Sequence, residues 1–153
     1  MESDAVIRPV RVADSDGAAD VYLRSRHSAV PAIPRLIHDD HEVHVWFHDV
    51  LLRDSEVWVA TDPANVVLGV MALTPGWLDQ LYIDPPASGR GVGRRLLQTA
   101  KQRNPSGLRL WTFETNVWAR RFYERHGFVE EERTDGSGNE ERAPDIRLLW
   151  SPG

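Results

Sequence analysis

The chain has 153 residues, of which 41% are hydrophobic and 27% charged, and its formal net charge is −5. These values are typical of a soluble globular protein, so we expect a single domain over residues 1–153. The negative charge argues against a general nucleic-acid binder, and no apolar run approaches the roughly 20 residues of a membrane-spanning helix. Cysteine is absent, which excludes disulfides and an acylated cysteine intermediate. Since the first residues also lack the apolar segment of a signal peptide, we expect a cytoplasmic protein.

The first third of the chain predicts a strand followed by two helices. Residues 6–10 are suited to a short strand, and Asp14 is suited to cap the helix that follows. Two prolines within residues 28–36 end that helix. Apolar spacing then predicts a second helical segment over residues 39–53.

The rest of the chain alternates between strands and helices. In chain order we predict strands 56–61, 66–73 and 77–83, a helix 92–103, a strand 108–113, a helix from Asn116 to Gly127, and strands 128–133 and 145–150. The turn between the first two of these strands predicts an antiparallel hairpin. The order predicts an α/β (α+β) fold, with a mixed, mainly antiparallel sheet of about seven strands between about four helices.

A glycine-rich loop, Ser88-Gly89-Arg90-Gly91-Val92-Gly93, connects a predicted strand to a predicted helix. Glycines allow close approach of the backbone to a ligand, and the first N–H groups of a helix point at an anion. Arg90, Arg94 and Arg95 add positive potential. The spacing fits neither the dinucleotide-binding fingerprint nor the P-loop. By itself the loop indicates either a phosphate site or a turn without a ligand.

A second motif, further along the chain, supports the phosphate site. Asn116-x-x-Ala119-x-x-Phe122-Tyr123-x-x-x-Gly127-Phe128 resembles the second signature of the GNAT superfamily of acyl-CoA-dependent N-acetyltransferases. The loop then resembles the superfamily's pyrophosphate-binding motif, Gln/Arg-x-x-Gly-x-Gly/Ala, with Ser88 in place of Gln or Arg. The resemblance covers most of the chain and is strongest over residues 66–130. It implies a GNAT-like fold, acetyl-CoA as the acyl donor and CoA as a product.

The resemblance also implies roles for individual residues. The backbone of Leu81, Tyr82 and Ile83 would hold the pantetheine arm, and the N–H of Leu81 or Ile83 would stabilise the oxyanion. Residues 89–94 would bind the pyrophosphate, and the second motif would contribute Asn116, Ala119 and Phe122 to the cofactor site. Tyr123, a phenol that is neutral near pH 7, would donate a proton to the departing thiolate. Packing in the core beside Phe122 is the alternative role of Tyr123.

The acceptor side is less determined. Asp79 is the nearest acidic candidate for a general base acting through water, with Gln80 positioning that water. The alternatives are that Asp79 is a solvated residue and that the amine loses its proton through a water chain. We expect His27 and His38, from the superfamily's variable substrate segment, and Trp77 and Trp111 to line the acceptor site. Simple packing is the alternative for the tryptophans, including Trp46.

Two polar segments have competing interpretations. The histidines and carboxylates of residues 38–48 suggest a metal cluster, but the spacing lacks a compact zinc motif and no cysteine is present, so we expect no metal. The acids of the loop 134–141 are either contacts for a cationic acceptor or part of a plain hairpin loop.

The sequence thus predicts acetyl transfer to a primary amine by direct attack in a ternary complex. The acceptor is a small molecule or a protein amino group. The alternatives are a catalytically silent acyl-CoA-binding sensor and an interaction module whose loop binds nothing. The resemblance is compatible with a homodimer.

Overall fold

The structure is a computed structural model that describes residues 4–153. Its elements in chain order are β1 (Val6–Pro9), α1 (Ser15–Ser28), α2 (Asp40–Trp46), α3 (Leu52–Asp54), β2 (Glu56–Thr61), β3 (Val67–Thr74), β4 (Trp77–Ile83), α4 (Val92–Arg103), β5 (Leu108–Phe113), α5 (Val117–Arg125), β6 (Phe128–Thr134) and β7 (Asp145–Trp150). A π-helical turn over Phe47–Leu51 joins α2 to α3. The predicted second helical segment therefore exists as one continuous stretch.

The strands form a seven-stranded sheet in the order β1-β2-β3-β4-β5-β7-β6. Every neighbouring pair is antiparallel except β4 and β5, which run parallel. The predicted fold class is confirmed, including the hairpin of β2 and β3. Pro9 ends the edge strand β1, where its missing N–H costs no ladder hydrogen bond.

Helices cover both faces of the sheet, as predicted. On one face α4 packs against β2, β3 and β4, and its Leu96 and Leu97 side chains are fully buried. On the other face α1, with Val21 buried, packs against β3 and β4, and the π-helical turn, with Phe47 buried, packs against α1. Burying each such side chain contributes about 1.5–3 kcal/mol, which makes these two clusters the main stabilising layers of the domain.

Asp14 occupies the N-cap position of α1, but its carboxylate makes no capping hydrogen bond to that helix. It accepts hydrogen bonds from Arg8 Nη1 at 2.7 Å and Nη2 at 2.9 Å, and from the Arg11 N–H at 2.7 Å. The Arg8 guanidinium lowers the pKa of this carboxyl. Asp14 therefore ties β1 to the start of α1, a role that local sequence does not reveal.

The central feature of the sheet is the divergence of β4 and β5. The two strands pair only at Trp77 and Arg109, where the Arg109 N–H donates to the Gly76 carbonyl oxygen at 3.0 Å. Beyond that point β4 remains paired to β3 on its other edge. The sheet therefore opens between β4 and β5 towards the C-terminal end of β4, where the glycine-rich loop begins.

Candidate functional site

Two cavities meet in the opening between β4 and β5. The larger cavity, of about 950 Å³, extends to the glycine-rich loop and α5. The smaller cavity, of about 260 Å³, lies between α1, β4, β5 and the loop joining β6 to β7. The residues that line both cavities are Ile33, Leu81, Tyr82, Asn116, Ala119 and Tyr123. Molecules bound in the two cavities would therefore come together at these residues.

The glycine-rich loop presents backbone amides to the larger cavity. Gly91, at φ +77°, precedes α4 in the left-handed conformation that favours glycine. The first helical hydrogen bond of α4 runs from the Arg95 N–H to the Gly91 carbonyl oxygen at 3.1 Å. The amides of Val92 and Gly93 precede that bond and have no partner within the helix. Such amides at a helix N-terminus are suited to bind an anion.

The edge of β4 that faces the opening also offers backbone groups. The Asp84 N–H donates to the Leu68 carbonyl oxygen at 2.8 Å, and Tyr82 lies opposite Val70 in the same register. Because hydrogen-bonded and non-bonded positions alternate along an antiparallel pair, the N–H groups of Leu81 and Ile83 point away from β3. They face the side where β5 has diverged, and an extended ligand can pair with them there.

Helix α5 forms the opposite wall of the larger cavity. The Asn116 side chain caps the helix by accepting a hydrogen bond from the Ala119 N–H at 3.2 Å. In the first turn of α5 the ring of Trp118 lies parallel to that of Phe122, one turn further along, with centroids 5.9 Å apart. Trp118 is 66% exposed and lines the cavity, although sequence reasoning did not select it. The sequence does contain a signal for this residue, because Trp118 lies four residues before Phe122 of the second motif, a spacing that places both on one helix face.

The structure places twelve of the thirteen predicted cofactor-binding residues around the larger cavity. They are Leu81, Tyr82, Ile83, Ser88, Gly89, Gly91, Val92, Gly93, Arg94, Asn116, Ala119 and Phe122. Arg90 is exposed and is not part of the lining. The lining also includes residues 29–33, which follow α1 and which sequence reasoning did not assign to the cofactor.

Tyr123 is buried where the two cavities meet. Its ring makes edge contacts with Phe122 and Phe128, at centroid distances of 5.2 and 5.4 Å. Burial, with a smaller contribution from the neighbouring Tyr82 hydroxyl, raises the pKa of Tyr123 above its ordinary value. The phenol is therefore neutral and carries its proton at neutral pH.

Asp79 lies on the wall of the smaller cavity at a β-bulge. Leu78 pairs with Leu73 and Gln80 with Ala72, so Asp79 has no partner on β3. Its Oδ2 accepts a hydrogen bond from the Thr74 hydroxyl at 2.7 Å, and the residue is exposed. The bulge thus presents a solvated carboxylate, with Gln80 beside it, to the smaller cavity.

The remaining walls of the smaller cavity come from distant segments. Trp111 of β5, a predicted acceptor residue, lines the cavity, and so do Arg26 of α1 and Glu141 of the loop between β6 and β7. Sequence reasoning did not select Arg26. Its i, i+4 spacing from the apolar-face residue Tyr22 was the signal that it faces inward.

The other predicted acceptor residues lie away from both cavities. His27 follows Arg26 on α1 and is turned outward by the helix rotation, with its Nε2 3.8 Å from Asp40 Oδ1. The His38 ring contacts two carboxylates: its Nδ1 lies 3.2 Å from Glu42 Oε2, and its Nε2 lies 2.5 Å from Glu140 Oε1.

Trp77 stands at the closed end of the opening, where β4 pairs with β5, and it lines neither cavity. Trp46 packs on Tyr22 in the core, with ring centroids 5.8 Å apart. Of the three tryptophans considered for a pocket, the structure brings only Trp111 to a cavity wall.

Three of the four histidines of residues 38–48, namely His38, His44 and His48, contact carboxylates. His44 contacts Asp16 and Asp20 of α1 through its two ring nitrogens, each at 2.9 Å. Within residues 4–153, no group of three or more His, Cys, Asp or Glu side chains is arranged to hold a metal ion. In the same part of the chain, no helix combines the length and apolar composition needed to cross a bilayer.

Comparison with known proteins gives a consistent result. A family model described as an acetyltransferase (GNAT) domain matches residues 53–130. An amino-acid acetyltransferase of Mycobacterium tuberculosis is 34% identical over 129 residues, which cover 74% of this chain and 71% of that protein. The peptidyl-lysine N-acetyltransferase YjaB of Salmonella typhimurium is 31% identical over 99 residues, which cover 65% of this chain and 68% of YjaB.

Solved structures share the whole fold. The solution structure of apo-form YjaB from Escherichia coli superposes with a TM-score of 0.76 at 25% identity, covering 97% of this chain and 99% of YjaB. The structure of YncA from Salmonella typhimurium with its cofactor acetyl-CoA superposes with a TM-score of 0.70 at 18% identity, covering 99% of this chain and 95% of YncA.

Proposed function

The chain belongs to the GNAT family of N-acetyltransferases, and from this premise we propose that it transfers an acetyl group from acetyl-CoA to a primary amine by direct attack in a ternary complex. The observation that carries the proposal is the meeting of two cavities at Tyr123, in the opening between β4 and β5. One cavity would hold the acyl donor and the other the acceptor amine.

We assign acetyl-CoA to the larger cavity because its walls match the donor's chemistry. The amides of Val92 and Gly93 would bind the pyrophosphate, and the unpaired edge of β4 would pair with the amides of the pantetheine arm. The apolar wall formed by Ala119 and Phe122 suits the methylene groups of that arm. The bound acyl-CoA of YncA, a protein with the same fold, is consistent with this assignment.

The proposed reaction forms one bond and breaks one bond. The acceptor nitrogen attacks the thioester carbonyl, a C–N bond forms, and the C–S bond breaks. The N–H of Leu81 or Ile83 would donate to the oxyanion as charge develops on it. Tyr123 would give its proton to the departing thiolate, since burial holds this phenol in its protonated form.

The acceptor ammonium loses two protons in all. The second leaves as the amide forms and replaces the proton that Tyr123 gives to the thiolate, whereas the first must leave before the attack to free the nitrogen lone pair. We propose that Asp79 accepts this proton through a water molecule, because the bulge presents its carboxylate to the smaller cavity. The neighbouring Gln80 would orient that water. In sum, an ammonium and acetyl-CoA yield an acetamide, free CoA and one released proton.

Two relatives indicate the range of acceptors. The names of YjaB and of the mycobacterial relative specify peptidyl-lysine and amino acids, respectively. Both acceptors present a primary amine. We therefore propose a primary amine as the shared feature of the acceptor.

Two measurements test the proposal together. Isothermal titration with acetyl-CoA should show binding at a single site, and a thiol-release assay with a panel of amines and lysine peptides should show acceptor-dependent CoA formation. Binding without turnover on any amine would identify a catalytically silent acyl-CoA sensor. If neither binding nor turnover is observed, the proposal is wrong, because the glycine-rich loop then holds no acyl-CoA.

A further inference from the structure

We propose that the acceptor carries a carboxylate beside its amine, and that Arg26 binds this carboxylate in the smaller cavity. The inference rests on the proposed function, because it names the class of amine that the enzyme acetylates. It identifies an amino acid, or a small derivative that retains the carboxylate, as the acceptor.

The first observation is the environment of Arg26. The residue is only 5% exposed, yet it lines the smaller cavity. The guanidinium lies over the rings of Tyr22 and Phe113, with Cζ 5.9 and 5.8 Å from the ring centroids. Cation–π attraction to these rings helps to hold the guanidinium in place.

Arg26 is under-satisfied for a buried cation. Its Nη2 donates to the Pro34 carbonyl oxygen at 3.3 Å, and the Tyr82 hydroxyl also interacts with the guanidinium, whereas its Nε has no hydrogen-bond partner among the described residues. A guanidinium has five N–H donors, and a buried charge is costly unless it is paired and hydrogen-bonded. Because Nε is enclosed by the protein, a ligand in the smaller cavity would meet the terminal nitrogens of the guanidinium, and a carboxylate matches their planar arrangement.

The nearest carboxylate of the protein does not use this capacity. Glu141 Oε1 lies 3.9 Å from Arg26 Nη2, which is beyond hydrogen-bonding distance. Glu141 is itself mostly buried, with its side chain 18% exposed. The two opposite charges thus stand side by side on the cavity wall without forming a hydrogen-bonded pair. An acceptor with both an ammonium and a carboxylate complements both.

The loop that carries Glu141 is held firmly in position. Gly136 is buried at φ +85°, and a Cβ there would lie 2.3 Å from the carbonyl carbon of Ala143. Asn139 donates to the Ala143 carbonyl oxygen at 2.7 Å and accepts from the Ala143 N–H at 3.1 Å. This packing gives Glu141 a defined place on the wall, which a plain solvated hairpin loop would not provide.

The size and charge of the smaller cavity support a small zwitterion. At about 260 Å³ it is below the 300–1,000 Å³ range of typical ligand pockets. The Asp145 carboxylate already accepts hydrogen bonds from Asn139 Nδ2, at 3.2 Å, and from the Thr134 hydroxyl. Arg26 is therefore left to bind the carboxylate, and Glu141 and Asp79 are left to attract the ammonium.

The first test compares acceptors that differ only at the carboxylate. Thiol release from acetyl-CoA is measured with each of the common amino acids, with its amide and with the corresponding decarboxylated amine. For the best acceptor we expect kcat/KM to be about 10- to 100-fold higher for the acid than for the amide, mainly through KM, which is the effect of losing a charge-assisted pair. Equal or better rates with amides, simple amines or lysine peptides would overturn the inference and leave acetyl transfer intact. If no acceptor of any class reacts, the proposed function itself fails.

The second test asks whether Arg26 is responsible for the preference for the acid over the amide. In Arg26→Gln we expect the acid-to-amide ratio to fall to about one while the KM for acetyl-CoA stays unchanged, and in Arg26→Lys we expect partial recovery because the charge remains without the fork. Arg103→Gln, which removes an exposed arginine paired with Glu56, is the matched control and should retain the wild-type ratio. A full wild-type ratio in a folded Arg26→Gln protein would contradict the assignment. If Arg26→Gln does not fold, the ratio measured on the wild-type protein still decides the inference.

Discussion

The two cavities on either side of Tyr123 are built from different parts of the polypeptide. The larger cavity offers backbone groups, at the start of α4 and on the free edge of β4, beside the small Ala119 and the aromatic rings of α5. The smaller cavity presents side chains, among them Arg26, Asp79 and Glu141, each from a different element.

This difference corresponds to the two kinds of molecule that we propose to bind there. A backbone surface recognises features that every acyl-CoA shares, namely the diphosphate and the pantetheine amides. A side-chain surface can be changed one residue at a time, so it can match one particular acceptor without altering the donor site. Substitutions on each side should therefore produce separable effects.

The largest expected effect is at Tyr123, where the two sides meet. In Tyr123→Phe the ring packing remains and the proposed proton donor is lost, so kcat should fall about 100-fold or more. Calorimetry should show a nearly unchanged affinity for CoA. Phe128→Leu, which alters the packing beside the ring and keeps the hydroxyl, is the control and should retain most of kcat. Full activity of Tyr123→Phe would remove the phenol from the mechanism.

On the acceptor side, Asp79→Asn tests the proposed base. At about pH 7 we expect kcat/KM for the amine to fall about 100-fold, and to recover as the pH rises and more amine loses its proton to water. The KM for acetyl-CoA should not change, which steady-state kinetics at several pH values will check. A profile identical to that of the wild type would show that Asp79 is a solvated strand residue.

On the donor side, substitutions of Gly93 test whether CoA binds against the backbone at the start of α4. A Cβ at Gly93 would lie 3.5 Å from Phe122 Cζ and 3.6 Å from Ile83 Cγ1, which is ordinary contact. Gly93→Ala should therefore fold normally and serve as the control. The larger side chain of Gly93→Leu should project into the larger cavity and weaken CoA binding about 10-fold, a typical cost of overpacking. An unchanged dissociation constant by calorimetry would place the pyrophosphate elsewhere.

The smallest expected effect concerns a contact outside both cavities. Hydrogen bonds to Asp16 and Asp20 raise the pKa of His44 above its ordinary value. The protonated pair therefore stabilises the fold fully below the unfolded-state pKa near 6.5, and this contribution is lost as pH rises through the higher folded-state pKa.

We expect His44→Gln to lower Tm by about 2–4 °C at about pH 5.5, since such pairs contribute up to about 1 kcal/mol, and to have little effect at about pH 9. Thermal melts of both proteins at the two pH values will measure this. His48→Gln, which removes a contact to the adjacent Asp49 only, is the control. A Tm difference that does not depend on pH would contradict the predicted titration. A change in acceptor specificity of His44→Gln would show that the acceptor site extends beyond the smaller cavity.

Much of the fold and of the donor side follows from local sequence. The strand and helix order, the hairpin of β2 and β3 and the bounds of α4 agree with the predictions to within a residue or two. Most of the proposed donor-site residues form two short motifs, one at the start of α4 and one on α5, and the others are consecutive residues of β4. Asp14 shows the limit of such reasoning, because Arg8, six residues earlier on β1, takes the carboxylate that local preference assigns to a helix cap.

By itself, the sequence determined the order of the elements and the loop whose amides face the larger cavity, because hydrogen bonding and side-chain periodicity act between residues close together in the chain. Only the tertiary structure decided that Arg26, Trp111 and Glu141 share one cavity while His27, His38 and Trp77 do not. A single residue step on a helix turns a side chain by about 100°, and strand pairing brings together segments far apart in the chain. The acceptor side depends on both of these effects, and neither appears in a linear motif.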